Sequence, residues 1–118
     1  MKIMQEEIFG PVLPVKTYKD VSEPVEYINS KDRPLGLYYF GEDNTEKDYV
    51  LDNTTSGGVT VNDVISHIQM EDLPFGGVGP SGMGSYHGYD GFKELSHAKS
   101  VYKQTKFNNM KLEGLFTP

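Results

Sequence analysis

The sequence predicts an α/β fold built on a short parallel βαβαβ unit. Three observations lead there. Short apolar runs recur at residues 12–18, 35–40 and 59–61. The stretches between them carry helical spacing and capping residues. Beyond residue 62 this regularity gives way to a glycine-dense tract. Strands alternating with helices favour a parallel sheet with right-handed crossovers.

Val12 to Tyr18 reads as the first strand, with Leu13, Val15 and Thr17 on one face and Val12 and Pro14 on the other. Pro11 and Pro14 make it irregular or place it near a sheet edge. Ser22 is placed to cap a helix, and Pro24 is tolerated in its first turn. Val25 and Ile28 share a face, helped by Tyr27, and Asp32-Arg33-Pro34 ends the helix. Leu35 to Phe40, apolar apart from Gly36, reads as a buried strand. Thr45-x-x-Asp48 is a variant capping box opening a second helix through Tyr49, Val50 and Leu51. Ser56-Gly57-Gly58 stops it, with glycine placed for a left-handed C-cap. Val59-Thr60-Val61 is the third strand.

Residues 74–91 hold seven of the 13 glycines. Phe75, Val78, Met83, Tyr86 and Tyr89 interrupt them with side chains that seek burial, so the tract is a structured loop. Phe92 to Ala98 is expected to form a helical turn or two. Ser100 to Lys106 alternates like a strand. Residues 108–118 predict no element.

The length of 118 residues suits one domain. Apolar content is 36%, against a usual ~45–50% that also counts glycine. Such a domain is marginal or packs on something further. The chain has no cysteine, which excludes disulfides, cysteine-ligated zinc and thiol catalysis by its own residues and fits a reducing compartment. The net charge of −6 argues against a nucleic-acid partner. Residues 1–92 carry 6 basic and 15 acidic side chains, a net of −9, and residues 93–118 carry 5 and 2, a net of +3. The basic end is either solvated or paired with an acidic surface. No apolar run approaches the ~18 residues of a membrane span, and residues 1–20 lack a signal-peptide pattern, so a cytoplasmic location is expected.

Several motifs fit familiar chemistry only on paper. Gly77-Val78-Gly79-Pro80-Ser81-Gly82 matches G-x-G-x-x-G, but it follows Leu73-Pro74-Phe75, contains Pro80 and opens no helix. A glycine-permitted loop packed closely on a neighbour is the better reading. His67, His87 and His97 lack the spacing of metal ligands, so no metal is expected. His87, within the loop, is the one best placed to touch a ligand. Glu6 and Glu7 point to opposite faces of an extended segment and cannot form an acid–base dyad. A carboxylate held by the following Phe-Gly-Pro could still accept hydrogen bonds from vicinal hydroxyls such as those of a ribose, although local chemistry alone favours a solvated acidic pair. Gly79-Pro80-Ser81-Gly82 has its second glycine one place early for a hydrolase elbow.

Two segments carry a family resemblance. Gln5-Glu6-Glu7-Ile8-Phe9-Gly10-Pro11-Val12 is one. Leu73-Pro74-Phe75-Gly76-Gly77-Val78-Gly79, running on to Gly82-Met83-Gly84-Ser85-Tyr86-His87-Gly88, is the other. Together they resemble the C-terminal part of the catalytic domain of an NAD(P)-dependent aldehyde dehydrogenase, over Met1 to about Lys106. Asn62-Asp63-Val64-Ile65-x-His67 and Phe92-x-x-x-Ser96-His97 look like the class 3 branch, and within it bacterial coniferyl aldehyde dehydrogenases.

The resemblance implies a mechanism for the intact enzyme: a cysteine thiolate adds to the aldehyde, hydride passes to the nicotinamide, and water hydrolyses the thioester. By position, Glu7 matches the glutamate that binds the nicotinamide ribose and Phe9 the aromatic that positions that end of the cofactor. Phe75 falls in the motif lining the aldehyde pocket. Val64, Ile65 and His67 lie on the loop at the tunnel mouth, and Asn62 matches an asparagine expected to support it. Tyr86 stands where many members carry a glutamate implicated in proton relay, which removes that relay here. The cysteine, the general base and the Rossmann domain belong upstream of Met1, and Met1-Lys2-Ile3-Met4 resembles the interior of a longer protein. The expectation is a partial catalytic domain at 1–99 and an oligomerisation strand and tail at 100–118. It is inactive alone, with the missing N-terminal half and further copies of itself as partners. NAD or NADP would serve the intact enzyme without binding this chain tightly. The alternative is a non-enzymatic, self-associating module.

Overall fold

The computed structural model describes residues 2–104, and its organising feature is one parallel pair of strands. β1 (Gly36–Tyr39) lies beside β2 (Gly58–Val61), with Gly36 opposite Gly58 and Tyr39 opposite Val61. A helix α1 (Ser22–Asn29) precedes β1, and α2 (Asn44–Asn53) makes the crossover to β2. Two short helices follow, α3 (Ser66–Gln69) and α4 (Gly88–Glu94), and residues Lys2–Met4 form a single 3-10 turn.

Alternation along the strands gives the pair two unlike faces. On one, Tyr39 packs with Val25 of α1 and Val50 of α2, and Val21 and Leu37 close around them. Burial pushes the Tyr39 phenol up from its ordinary range, and the nearby carboxylates of Glu46 and Asp43 add to the shift. On the other face, Tyr38 and Thr60 meet His67 of α3.

The expected second and third strands and both expected helices before and between them form, but several details differ. The first expected strand is absent. Residues 11–18 take no regular structure and are exposed throughout, with Leu13 at 83% and Val15 at 79%. A strand exists only where a neighbour pairs its backbone, and among the described residues no strand pairs with this segment. Ser22 is the first residue of α1 rather than its cap, because the Asp20 carboxylate accepts from both the Ser22 N–H (2.9 Å) and hydroxyl (2.5 Å). These two bonds hold the Asp20 pKa below its usual value. The helix ends at Asn29, short of Asp32. In α2 the cap is Asp43, whose carboxylate accepts from Thr45 N (2.8 Å) and Glu46 N (3.1 Å), in place of the Thr45 box.

The end of α2 uses no left-handed glycine. Thr54 is extended, and the last carbonyls are taken by side chains: Thr54 Oγ1 donates to Val50 O (2.7 Å) and Asn53 Nδ2 to Tyr49 O (2.8 Å). Gly57 and Gly58 serve close approach instead. A Cβ at Gly57 would lie 2.3 Å from Gly76 O, and one at Gly58 would lie 2.5 Å from His67 Cδ2. The last expected helix starts earlier, at Gly88, and ends at Glu94. Its Lys93 pairs with Asp90 at 3.0 Å. Residues 100–104 take no regular structure, and the rest of the expected C-terminal strand and the tail lie outside the described residues.

The close approach at Gly57 generates a prediction. Gly57→Ala should lower stability by about 1–3 kcal/mol in urea denaturation, since a methyl there must displace backbone. Gly10→Ala, with nothing within 4 Å of its new methyl, should leave the midpoint unchanged. Equal midpoints for both variants would contradict the packing described.

Candidate functional site

The glycine-dense tract folds back on itself as a hairpin. Phe75 and Tyr86 exchange both backbone hydrogen bonds at 2.9 Å, and Gly79 bridges Gly82 nearer the tip. Glycine is required where the two arms touch: a Cβ at Gly76 would lie 2.0 Å from Gly84 O, and one at Gly77 would lie 2.0 Å from Ser81 O. The tip uses its own donors. Val78 N–H donates to Ser81 Oγ (2.9 Å) and Gly82 N–H to Gly79 O (3.1 Å). Donors already committed within the turn cannot cradle a phosphate, which removes the dinucleotide reading of G-x-G-x-x-G.

The hairpin presents Phe75 to the polar side of the strand pair. There the rings form a row. Tyr38 and His67 have centroids 6.0 Å apart, and His67 and Phe75 are again 6.0 Å apart. Phe75 meets Tyr86 edge-on at 5.6 Å and stacks with His87 at 6.4 Å and 29°. His67 is buried, and its Nδ1 lies 2.6 Å from Thr60 Oγ1. Its backbone N–H donates to the same hydroxyl at 3.2 Å. Two buried ring nitrogens, His67 Nε2 and His87 Nδ1, have no partner among the described residues. An open depression of about 320 Å³ runs beside this row, lined by Leu35, Phe75, Met83, Tyr86 and Glu94 among others.

Asn62 fastens the loop that leads into α3. Its amide accepts from Gly41 N (2.8 Å) and donates to Gly41 O (3.0 Å), tying the ends of the two strands together. Its φ of 57° is a conformation asparagine tolerates better than most residues. Ile65, at φ 67°, is costlier, on the order of 1–3 kcal/mol for a branched side chain. The Asp63 carboxylate holds that turn by accepting from the Ser66 hydroxyl and from Val64 N (2.8 Å). The Ser66 bond, then the Val64 bond, keeps the Asp63 pKa below its ordinary value. Val64 and Ile65 stand half-exposed on the rim.

The structure thus gathers His67, Phe75, Tyr86 and His87 into one cluster, with Asn62, Val64 and Ile65 on the adjoining loop. Glu7 and Phe9 stand apart from it. Glu6 and Glu7 are both exposed and border an open cleft of about 720 Å³, with Lys31, Arg33, Pro80 and Ser81 among its other walls. Phe9 is 91% exposed. Among the described residues no three His, Asp or Glu gather as metal ligands, and no helix is long and apolar enough to cross a membrane. Sequence reasoning missed Thr60 and Tyr38. A lone hydroxyl within Val59-Thr60-Val61 was the available signal, because alternation turns it away from its apolar neighbours.

An α/β crossover unit backed by a glycine-dense hairpin thus sets an aromatic row beside an open depression. Residues 1–101 match the aldehyde dehydrogenase family, and the chain belongs to that family. It is 65% identical over 118 residues to a probable coniferyl aldehyde dehydrogenase of Caulobacter vibrioides, covering 100% of this chain and 24% of that protein. To the coniferyl aldehyde dehydrogenase of a Pseudomonas species it is 58% identical over 105 residues, covering 89% of this chain and 22% of that one. A substrate-bound structure of Staphylococcus aureus AldH superposes with a TM-score of 0.83 at 44% identity, over 92% of this chain and 24% of that chain. The chain therefore spans about a quarter of the length of the relatives it matches.

The Asp63 turn sets a pH dependence. A carboxylate with a lowered pKa contributes its stabilisation above the ordinary aspartate range and loses it as pH falls through the lowered value. The Val64 amide resonance should therefore titrate with a midpoint below the ordinary 3.8 of an aspartate, and Asp63→Asn should abolish that titration. A midpoint at or above 3.8 would count against the turn.

Proposed function

We propose that this chain is the C-terminal part of the catalytic domain of an oxidoreductase that oxidises aldehydes to carboxylic acids with NAD(P)+. Its two coniferyl aldehyde dehydrogenase relatives support an aromatic aldehyde such as coniferyl aldehyde as substrate. The observation that carries the reading is the family match over residues 1–101, joined to a pocket wall built by this chain's own contacts around Phe75.

In this reading Phe75 lines the aldehyde pocket, where a flat apolar ring suits an aromatic substrate. Val64, Ile65 and His67 shape its mouth, Asn62 supports that loop, and Tyr86 and His87 back the wall. Glu7 and Phe9 serve the cofactor. Both side chains stand exposed on an arm without regular structure, and no described residue hydrogen-bonds to the Glu7 carboxylate. That fits an acceptor for ribose hydroxyls next to a ring that lies against the nicotinamide end. When bound, the nicotinamide accepts the hydride lost by the substrate. This chain positions and encloses; it supplies no nucleophile, because it has no cysteine.

The division into a partial catalytic domain (1–99) and a C-terminal bridging segment (100–118), a cytoplasmic location, and pairing with the missing N-terminal half belong to the same proposal. The isolated chain should show no NAD- or NADP-dependent oxidation of coniferyl aldehyde, followed at 340 nm as reduced cofactor forms. Turnover that persists through purification to homogeneity would overturn this assignment.

A second reading, a non-enzymatic self-associating module, is supported by apolar residues that stand in water: Phe9 is 91% exposed, Leu13 83%, Met83 96% and Leu95 89%. Exposed apolar surface of this kind favours association. Self-association should therefore appear in light scattering as a mass that rises with concentration, and a clean monomer throughout would rule it out.

A further inference from the structure

We infer that His67 and Thr60 form a positioning pair that sets Phe75 from behind, with His67 held as the neutral tautomer protonated on Nε2. This rests on Phe75 being a wall of the proposed aldehyde pocket, but the pair itself is argued from hydrogen-bond accounting. The Thr60 hydroxyl has one proton to give and lies against His67 Nδ1 at 2.6 Å, while it accepts the His67 backbone N–H at 3.2 Å. If the hydroxyl donates to Nδ1, every polar atom of Thr60's side chain is used, and one group is left over, the Nε2–H. If Nδ1–H donates instead, the buried hydroxyl proton and the Nε2 lone pair are both orphaned, since the Thr60 hydroxyl has no other partner among the described residues. The first arrangement leaves fewer buried groups unpaired and is the favoured one.

The pair has little freedom. His67 is 7% exposed, and Thr60 is 8% exposed on the middle of β2. The ring is wedged between Tyr38 and Phe75 at 6.0 Å from each. Its Nε2 edge lies over Gly58, where a methyl would come within 2.9 Å of Nε2. Thr60 thus fixes the imidazole from the strand, and the imidazole gives Phe75 a surface to rest on. The hairpin holds Phe75 by backbone bonds to Tyr86 and by the rings of Tyr86 and His87, and His67 bounds the ring from the strand pair. Besides its place at the mouth of the proposed pocket, His67 bears on Phe75 from behind, and that second role is positional.

Nitrogen-15 NMR of the full chain tests this without reference to activity, so failure here is separable from failure of the enzymatic reading. Long-range imidazole spectra should show His67 as the Nε2–H tautomer. Thr60→Ser should preserve that pattern. Thr60→Val should lose it and shift the Phe75 ring resonances at least threefold more than the Val25 methyls on the opposite face. A wild-type Nδ1–H tautomer would overturn the inference. So would Phe75 resonances indifferent to Thr60→Val, or Val25 signals that move as far as those of Phe75.

Discussion

The parallel pairing of β1 with β2 is the constraint on which the rest of this chain depends. It places Thr60 opposite Tyr38, and so puts a hydroxyl and a ring on the face away from the core. It also brings Gly57 against the carbonyls of Leu35 and Gly76. Side chains at those points would hold the hairpin off the sheet, and Phe75 would have no platform. The apolar face is conventional by comparison: Val25, Tyr39 and Val50 bury one another, and the helices α1 and α2 exist because that face needs covering.

Short apolar runs made the two real strands legible, and the helical spacing of Val25 and Ile28 and the polar cap before Tyr49-Val50-Leu51 made the two helices legible. Capping was less legible. Asp43 and Thr45 are both good caps, and only the turn after Phe40 decides between them. Val12 to Val15 has strand composition without strand structure, since pairing is a property of neighbours and no described strand pairs with it. The glycines at 57 and 58 were read as a helix stop, but their role is steric and long-range. Of the candidate site, the family motifs singled out Phe75, Tyr86, His87 and His67. The contact among them, and the hydroxyl that anchors His67, depended on a crossover and a hairpin meeting in space.

The surface is rich in exposed apolar side chains. Phe9, Leu13, Val15, Met83 and Leu95 stand far out of the fold, and the buried apolar set is small. Large apolar residues left in water in such numbers mark an interface rather than a finished globule. That matches a chain covering about a quarter of its relatives.

The two groups proposed to meet ligands differ in what holds them, and this difference follows from the fold. Phe75 is fixed by two backbone bonds to Tyr86 and by rings on either side, all within the described residues. Its geometry is preorganised before anything binds. Glu7 and Phe9 sit on an arm whose local hydrogen bond, Gly10 N–H to Ile8 O at 3.1 Å, tightens one turn without docking it to the sheet. An exposed arm of this kind loses conformational entropy only when a partner orders it. The proposed pocket wall is therefore held by this chain's own contacts, whereas the carboxylate and ring proposed to serve the cofactor have no such contacts among the described residues. Cofactor affinity and wall geometry are separable properties, even though both motifs lie on one short chain.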